Sequence, residues 1–443
     1  MARVKEVLAN IFAIPELRRR IIFTIAMLAV FRLGYIIPVP GVKTDILAKM
    51  IDDFSKDYGR LVGIFSMLSG GALSQFSIFS LGIMPYITAS IMFSLLVKVI
   101  PSLEALSKEG PAGYRKISQY TRLATVPICV FWSIWTALLL QRVDPRYGSL
   151  VYEGGGSFLI VTICSLTAGA VFLMWLGEQI TEYGLGNGAS LIIMAGIIDR
   201  MPGAVGQIVG DINTGKLNAY QPIILLVLYL FVIVAIVYMT QAQRRVPVQY
   251  AKHVRGNRVY GGQRHYLPLR VNHAGVMPVI FASTLMVVPQ LMANMLGSEM
   301  LKDMFSKSES GFWYCMIYMG LIFFFAYFWT ALYFRPAEMS EHLQEWGSFV
   351  PGLRPGRDTA NHLEMVMNRI TLSGAAFLAI IALLPNIVSE MLGVGIYATR
   401  FLGGTGILIV VGVGLDLMQK VESHLLIRDY EGLLDKGRLR GRR

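Results

Sequence analysis

Long charge-free stretches alternate with short polar ones along nearly the whole chain. They are Leu61–Val97, Leu123–Gln141, Gly154–Gly177, Tyr183–Ile198, Gln221–Gln243, Ala274–Ser298, Ser310–Phe334 and Ile370–Ser389. Two further apolar stretches are Ile21–Val42, interrupted only by Arg32, and the short Phe401–Leu415. A helix needs about 20 residues to cross a hydrocarbon layer of about 30 Å. On that ruler the pattern predicts ten membrane spans. Tyr183–Ile198 and Phe401–Leu415 are short, so their helices are expected to run into neighbouring polar residues or to lie beside protein. Leu61–Val97 is too long for one span. A single helix there would measure about 55 Å, and Ser69, Gly70 and Gly71 interrupt it where helix propensity is weak. Two pieces are expected: a short segment, Leu61–Leu73, and a full span, Phe76–Val97. Irregular backbone at membrane depth survives only inside protein or against a watery cavity, so the short piece is expected to be enclosed.

Composition agrees. Hydrophobic residues make up 54% of the 443 residues and charged residues 15%, well below the ~25% charge of soluble domains. The three cysteines, Cys129, Cys164 and Cys315, lie in apolar runs and suggest neither a disulfide framework nor a metal cluster. The net charge of +12 acquires meaning once it is partitioned. With both termini in the cytoplasm, cytoplasmic segments hold 28 Lys/Arg and exterior segments 11. The positive-inside rule therefore predicts an N-in, C-in topology. Met1–Arg20 is mildly amphipathic and reads as a short surface helix before an uncleaved first span.

Candidate chemistry is sparse. Ionisable residues near the spans lie at their edges: Arg32, Glu178, Glu182 and Asp416. Glu178 and Glu182 fit a helix end satisfied by water or a neighbour. A proton relay would need partners at mid-depth. No HExxH, P-loop or paired CxxC occurs, so no catalytic residue, metal or cofactor is expected. Gly184, Gly186 and Gly188, with Asn187, supply a turn; close helix packing is an equally good reading of these glycines.

Two polar loops stand out. Loop 244–272 carries Arg244, Arg245, Lys252, Arg255, Arg258, Arg264 and Arg270 and no acid. Its β-formers Val246, Val248, Tyr250, Val259 and Tyr260, with Gly261 and Gly262 as a turn signal, predict a protruding hairpin. Such a surface is either a solvated face or a dock for an acidic or RNA-bearing partner. Loop 335–369 contains Phe349-Val350-Pro351-Gly352-Leu353-Arg354-Pro355-Gly356, and its prolines and glycines shape a tight tip around Arg354. Five spans on each side suggest an internal duplication. The expected division is a cytoplasmic segment 1–20, an N-terminal half 21–205, a C-terminal half 206–422 and a basic tail 423–443.

Six strings together carry a resemblance. They are Pro38-Val39-Pro40-Gly41; Phe65-Ser66-Met67-Leu68-Ser69-Gly70-Gly71-Ala72-Leu73; Gly82-Ile83-Met84-Pro85-Tyr86-Ile87-Thr88-Ala89-Ser90; Arg115-Lys116-Ile117-Ser118-Gln119-Tyr120-Thr121-Arg122; Gly177-Glu178-Gln179-Ile180-Thr181 with Gly186-Asn187-Gly188; and Arg354-Pro355-Gly356 with Thr359-Ala360. In this order they resemble the SecY family, the central channel subunit of the bacterial protein-export translocon.

That resemblance implies an all-α polytopic membrane protein of ten helices in two pseudosymmetric five-helix halves, with a plug. The plug falls at 61–75 and includes Phe65, Ser66, Met67, Leu68, Ser69, Gly70 and Gly71. The pore ring is implied at Ile83, Ile87, Ile193, Ile280 and Ile409. A lateral gate is implied between the helices starting near Phe76 and Ala274. Docking of cytoplasmic partners is implied for Arg244, Arg245, Arg255, Arg258, Arg354 and Arg357. The implied partners are small SecE-like and SecG-like helical subunits, a SecA-like motor ATPase, the ribosome, signal sequences, unfolded preproteins and membrane lipid. The implied place is the bacterial cytoplasmic membrane. The implied task is secretion of unfolded preproteins and lateral insertion of membrane proteins, without enzymatic activity. A secondary transporter of a hydrophobic solute, or a pore-less membrane scaffold, remains the alternative on the residues alone.

Overall fold

The computed structural model describes residues 14–44, 46–47, 76–141, 151–152, 155–199, 201–215, 218, 220–250, 253–255, 258–260, 264–286, 289, 311–392 and 404–437. The plug residues Phe65–Gly71 lie outside the described residues.

The chain is mostly helical. In order it forms α1 Pro15–Ile36, α2 Met84–Val99, α3 Pro101–Lys108, α4 Pro111–Gln141, α5 Gly156–Tyr183, α6 Gly188–Asp199, α7 Met201–Asn213 and α8 Tyr220–Gln241. Strands β1 Gln243–Tyr250, β2 His253–Arg255, β3 Arg258–Tyr260 and β4 Arg264–Arg270 follow. Then come α9 Met277–Leu285, α10 Phe312–Tyr333, α11 Pro336–Glu345, β5 Ser348–Phe349, α12 Arg357–Leu392 and α13 Gly404–Gly437.

Proline opens α1, α3, α4 and α11, a position where its missing N–H costs nothing and its fixed φ is already helical. Pro127 lies inside α4. Thr125 and Ser133 lie on either side of it, and their hydroxyls donate to the carbonyls of Thr121 and Cys129, at 2.8 and 2.7 Å.

Among the described residues, six helices are long and apolar enough to cross a membrane, or seven if the bent pair α2–α3 counts as one. Helix α8 shows why sequence and environment agree. It exposes Ile223, Leu226, Val227, Leu230, Phe231, Val234 and Tyr238, so it is apolar on nearly every side, as a lipid-facing helix must be.

Two expectations differ in detail. Phe76–Val97 is not one continuous helix. Phe76–Ile83 forms turns, with φ +45 at Phe76 and +58 at Gly82, and the helix starts only at Met84, with Pro85 in its first turn. Left-handed φ values are incompatible with a helix, so these two residues end any continuity from the segment before. At its far end α2 bends by 98° into α3, because Pro101 cannot donate to the helix that precedes it. The second difference is at Arg18–Arg20, which lie inside α1 itself; residues 1–13 of the expected surface segment lie outside the described residues.

The chain divides into two compact units. The first comprises Met1–Ala204 and Val413–Arg443, the second Val205–Gly412. In the first, residues on either side of segment 40–75 meet. Val39 N–H donates to the Phe76 carbonyl at 2.9 Å and Ile78 N–H to that of Ile37 at 3.0 Å. In the second, Val279 and Ala282 of α9 and Met286 just after it pack with Tyr314, Tyr318 and Ile322 of α10 and with Leu378 and Ile381 of α12.

Candidate functional site

In the first unit the isoleucines gather at the start of α2. Ile83 is the residue before the helix and only 2% exposed. Ile87 lies one turn on, its N–H bonded to the Ile83 carbonyl at 3.1 Å. Both pack with Ile193 of α6 in a cluster with Phe31, Phe79, Leu173, Leu176, Ile180, Leu191 and Ile192.

A Cβ on Gly177 would make only ordinary contacts, 3.4 Å from Ile83 Cδ1 and 3.6 Å from Ile192 Cδ1, but Gly188 has no room for one. A Cβ on Gly188 would fall 1.9 Å from the Gly177 carbonyl oxygen. Helices α5 and α6 therefore meet backbone to backbone, and α6 carries Ile193 close against α5. Around this contact Gly186 takes φ +88, Asn187 Oδ1 accepts from Ser190 N–H at 3.2 Å, and Thr181 Oγ1 accepts from Gly188 N–H at 2.9 Å. The glycine series is thus both a turn and a packing contact. Gly169 was missed by sequence reasoning: its Cβ would lie 2.2 Å from the Ile78 carbonyl oxygen.

Ile280 on α9 and Ile409 on α13 belong to the second unit. Ile280 is half-buried and Ile409 is buried. The structure thus brings three of the five isoleucines together in one unit and places the other two in the second.

The basic loop folds as a hairpin. β1 and β4 are antiparallel, pairing Gln243 with Arg270 and Gln249 with Arg264. β2 and β3 form a separate two-stranded antiparallel sheet in which Arg255 pairs with Arg258. Gly261 and Gly262, expected to mark the turn, lie outside the described residues.

The second loop joins the same sheet, which the sequence did not reveal. β5 pairs with β1, Phe349 opposite Gln249 and Ser348 opposite Tyr250, giving the strand order β4-β1-β5. One face of the sheet covers a core of its own: Val246, Val248, Leu269, Phe334, Leu343, Val350, Leu363 and Met367. Alternation along β1 puts Val246 and Val248 inward, and Arg244 and Arg245 near its start are both exposed.

The tip of the second loop is held by polar bonds. Thr359 Oγ1 donates to the Arg354 carbonyl at 2.8 Å, Ser340 Oγ to the Gly356 carbonyl at 2.7 Å, and Leu353 N–H to the Val350 carbonyl at 3.1 Å. Gly352 and Gly356 sit at φ +85 and +100. The Arg354 and Arg357 side chains are exposed.

The helix-edge charges find neighbours. Arg122 Nε donates to Glu178 Oε1 at 2.6 Å. Arg32 pairs with Asp199 and lies 4.6 Å over the Tyr35 ring. Asp416 pairs with Lys420 at 3.1 Å. Among the described residues no group of three or more His, Cys, Asp or Glu is placed to hold a metal ion.

Comparison with known proteins then decides the family. The SecY family profile matches residues 77–418. The chain is 43% identical to the protein translocase subunit SecY of Thermotoga maritima over 98% of this chain and 99% of that one. It is 42% identical to the SecY subunits of Thermus thermophilus, covering 97% of each chain, and Escherichia coli, covering 96% of each.

The chain belongs to the SecY family.

Solved structures agree at the level of fold. A structure described as a protein conducting channel matches with a TM-score of 0.63 at 16% identity over 92% of both chains. Sec61 in a canine ribosome-channel complex from the endoplasmic reticulum matches with a TM-score of 0.59, at 16% identity and the same coverage. Membership of the SecY family sets aside the small-solute transporter.

Proposed function

We propose that this SecY-family chain is the protein-conducting channel through which unfolded preproteins cross, and hydrophobic segments enter, a bacterial cytoplasmic membrane. Its ten spans form two pseudosymmetric halves, 21–205 and 206–422, with both termini in the cytoplasm between segment 1–20 and tail 423–443. The observation that carries this reading is the isoleucine cluster of Ile83, Ile87 and Ile193, drawn together by glycine contacts in a chain of this family.

The physical logic is that of a seal indifferent to sequence. A passing chain varies at every position, so the neck cannot bond to a fixed polar pattern. Branched apolar side chains with stiff χ1 angles surround any chain and exclude ions by dewetting when none is present. Ile280 and Ile409 complete the ring from the second half. Segment 61–75 caps the exterior funnel as a plug; the pairing of Ile37–Val39 with Phe76–Ile78, which returns the chain to its starting point, supports this. A signal sequence of about ten apolar residues leaves sideways between the helices near Phe76 and Ala274, because hydrocarbon suits it better than water.

Energy comes from partners. Arg244, Arg245, Arg255, Arg258, Arg354 and Arg357 form a basic surface on the two joined loops that docks a SecA-like motor ATPase or the ribosome. SecE-like and SecG-like helices brace the channel. The test is transport of a radiolabelled unfolded preprotein into proteoliposomes containing the complex. Protease-protected product is expected only with the motor ATPase and ATP. Protection without a partner, or none with one, would contradict the reading.

A further inference from the structure

Arg32 is the one charge within the apolar stretch Ile21–Val42. It stands eleven residues beyond Ile21, about 17 Å along α1 and so inside a hydrocarbon layer of about 30 Å. An ionised side chain at that depth is costly and is retained where it has a partner and a task. The partner is Asp199, the last residue of α6. The Arg32 guanidinium also lies 4.6 Å over the Tyr35 ring.

The other end of α6 is held by the same helix. Thr24 Oγ1 accepts the Leu185 N–H at 3.1 Å, just before α6, and donates to the Arg20 carbonyl at 2.9 Å. The approach is close: a Cβ on Gly184 would stand 2.6 Å from that hydroxyl oxygen. Thr24, Leu28 and Arg32 follow one another at four-residue intervals, with Phe31 and Tyr35 beside them, so they share one face of α1. Met27, Leu28 and Phe31 pack in the cluster that holds Leu191, Ile192 and Ile193. Helix α6 has only 12 residues and is about 18 Å long, with Ile193 near its middle. It is thus supported along its whole length. A hydroxyl tie lies before its first turn, apolar packing at its centre and an ion pair at its last residue. All of these residues belong to the first unit.

We propose that α1 is a splint for α6, and that Thr24 and Arg32 are positioning residues that set the depth and rotation of Ile193 in the seal. Apolar packing is non-directional, so by itself it fixes a short helix poorly; the two polar ties fix its register. This inference rests on the place of Ile193 in the pore ring.

The test has two arms, both on the complete complex. The first is planar-bilayer conductance without ribosome or motor ATPase. Arg32→Gln is expected to raise the resting leak about fivefold, the population shift that loss of a partly exposed ion pair allows. The swapped pair, Arg32→Asp with Asp199→Arg, is expected to bring the leak back toward the parent. Combined with Ile193→Ser, Arg32→Gln is expected to add little, because both act through one side chain. Fully additive leaks, or a parent-level leak with only a lowered melting temperature, overturn the proposal. A swapped pair that leaks like the single variant removes the ion pair as the tie. The second arm reads α6 itself. Spin labels replace Ile25 and Ile198, both exposed, in a chain whose three cysteines are changed to alanine. The distance distribution is expected to broaden in Arg32→Gln and in Thr24→Val, which removes the hydroxyl but keeps the shape, and to narrow again in the swapped pair. An unchanged distribution overturns the splint. A silent Ile193→Ser alongside a broadened distribution refutes instead the place of Ile193 in the ring, and leaves the splint standing.

Discussion

Gly188 at the start of α6 faces the carbonyl of Gly177 on α5 so closely that a single added methyl would lie 1.9 Å from the oxygen. The isoleucine cluster depends on this approach, since Ile83 packs over Gly177 and Ile193 is carried by α6. Gly188→Ala is therefore expected to force α5 and α6 apart. Overpacking against backbone costs about 1–3 kcal/mol or more. The purified complex should show a lowered melting temperature and a raised resting ion leak. A variant as stable and as tight as the parent would show that the contact is slack.

Arg354 is expected to matter for coupling and not for folding. Its side chain is exposed, and the bond that holds the loop runs from Thr359 Oγ1 to the Arg354 backbone carbonyl, which any residue supplies. Substitution of an exposed side chain away from such features changes stability within about 0.5 kcal/mol. Arg354→Glu should accumulate normally, while preprotein export measured by pulse-chase falls strongly. Normal export, or degradation of the variant, would remove the role.

The sheet's private core predicts local failure. Leu363 is fully buried beneath it. Leu363→Ala should cost the module about 2–5 kcal/mol. Limited proteolysis should then cleave within 244–272 and 335–369 while the membrane helices stay intact. Unchanged resistance in both loops would mean that the sheet is held by something other than this core.

His273 predicts a pH dependence. The side chain is exposed at its surface, yet desolvation by its neighbours, and then the positive charge of Arg270, push its pKa below the ordinary 6.5. Because of that exposure the effect on stability is small. The folded state thus takes up a proton less readily than the unfolded chain. Stability from this group is complete above pH 6.5 and is lost as the pH falls from there through the lowered value. Between pH 7.5 and 5.5 the melting temperature of the parent should drop further than that of His273→Gln. Equal drops would show that the imidazole is as free as in the unfolded chain.

Much of this architecture is legible in the sequence because the bilayer imposes a simple ruler. Stretches such as Gln221–Gln243 and Ser310–Phe334 become α8 and α10 within one or two residues at each end. The alternation of Val246 and Val248 foretold β1. Long-range pairings are less visible. Nothing in Ser348-Phe349 signals that two residues would extend the other loop's sheet, because a strand so short has no periodicity. The turns at Phe76–Ile83 were hidden because the segment carries no charge, which suits an irregular buried segment as well as a helix. Arg122 meeting Glu178 across 56 residues depends on how α4 and α5 pack. The isoleucines could be singled out only through the family resemblance, since apolar residues on apolar helices carry no local mark of a pore.

The central claim is that Ile83, Ile87, Ile193, Ile280 and Ile409 form the seal of a protein-conducting channel. Planar-bilayer conductance of the purified complex, without ribosome or motor ATPase, tests it most directly. Serine at these positions makes the neck wider and wettable, which lowers the dewetting barrier. Conductance should rise little for one Ile→Ser change, further for several, and most when residues 61–75 are deleted as well. Near-zero conductance in the five-fold variant lacking 61–75 would contradict the account, because the closed channel would then be sealed elsewhere.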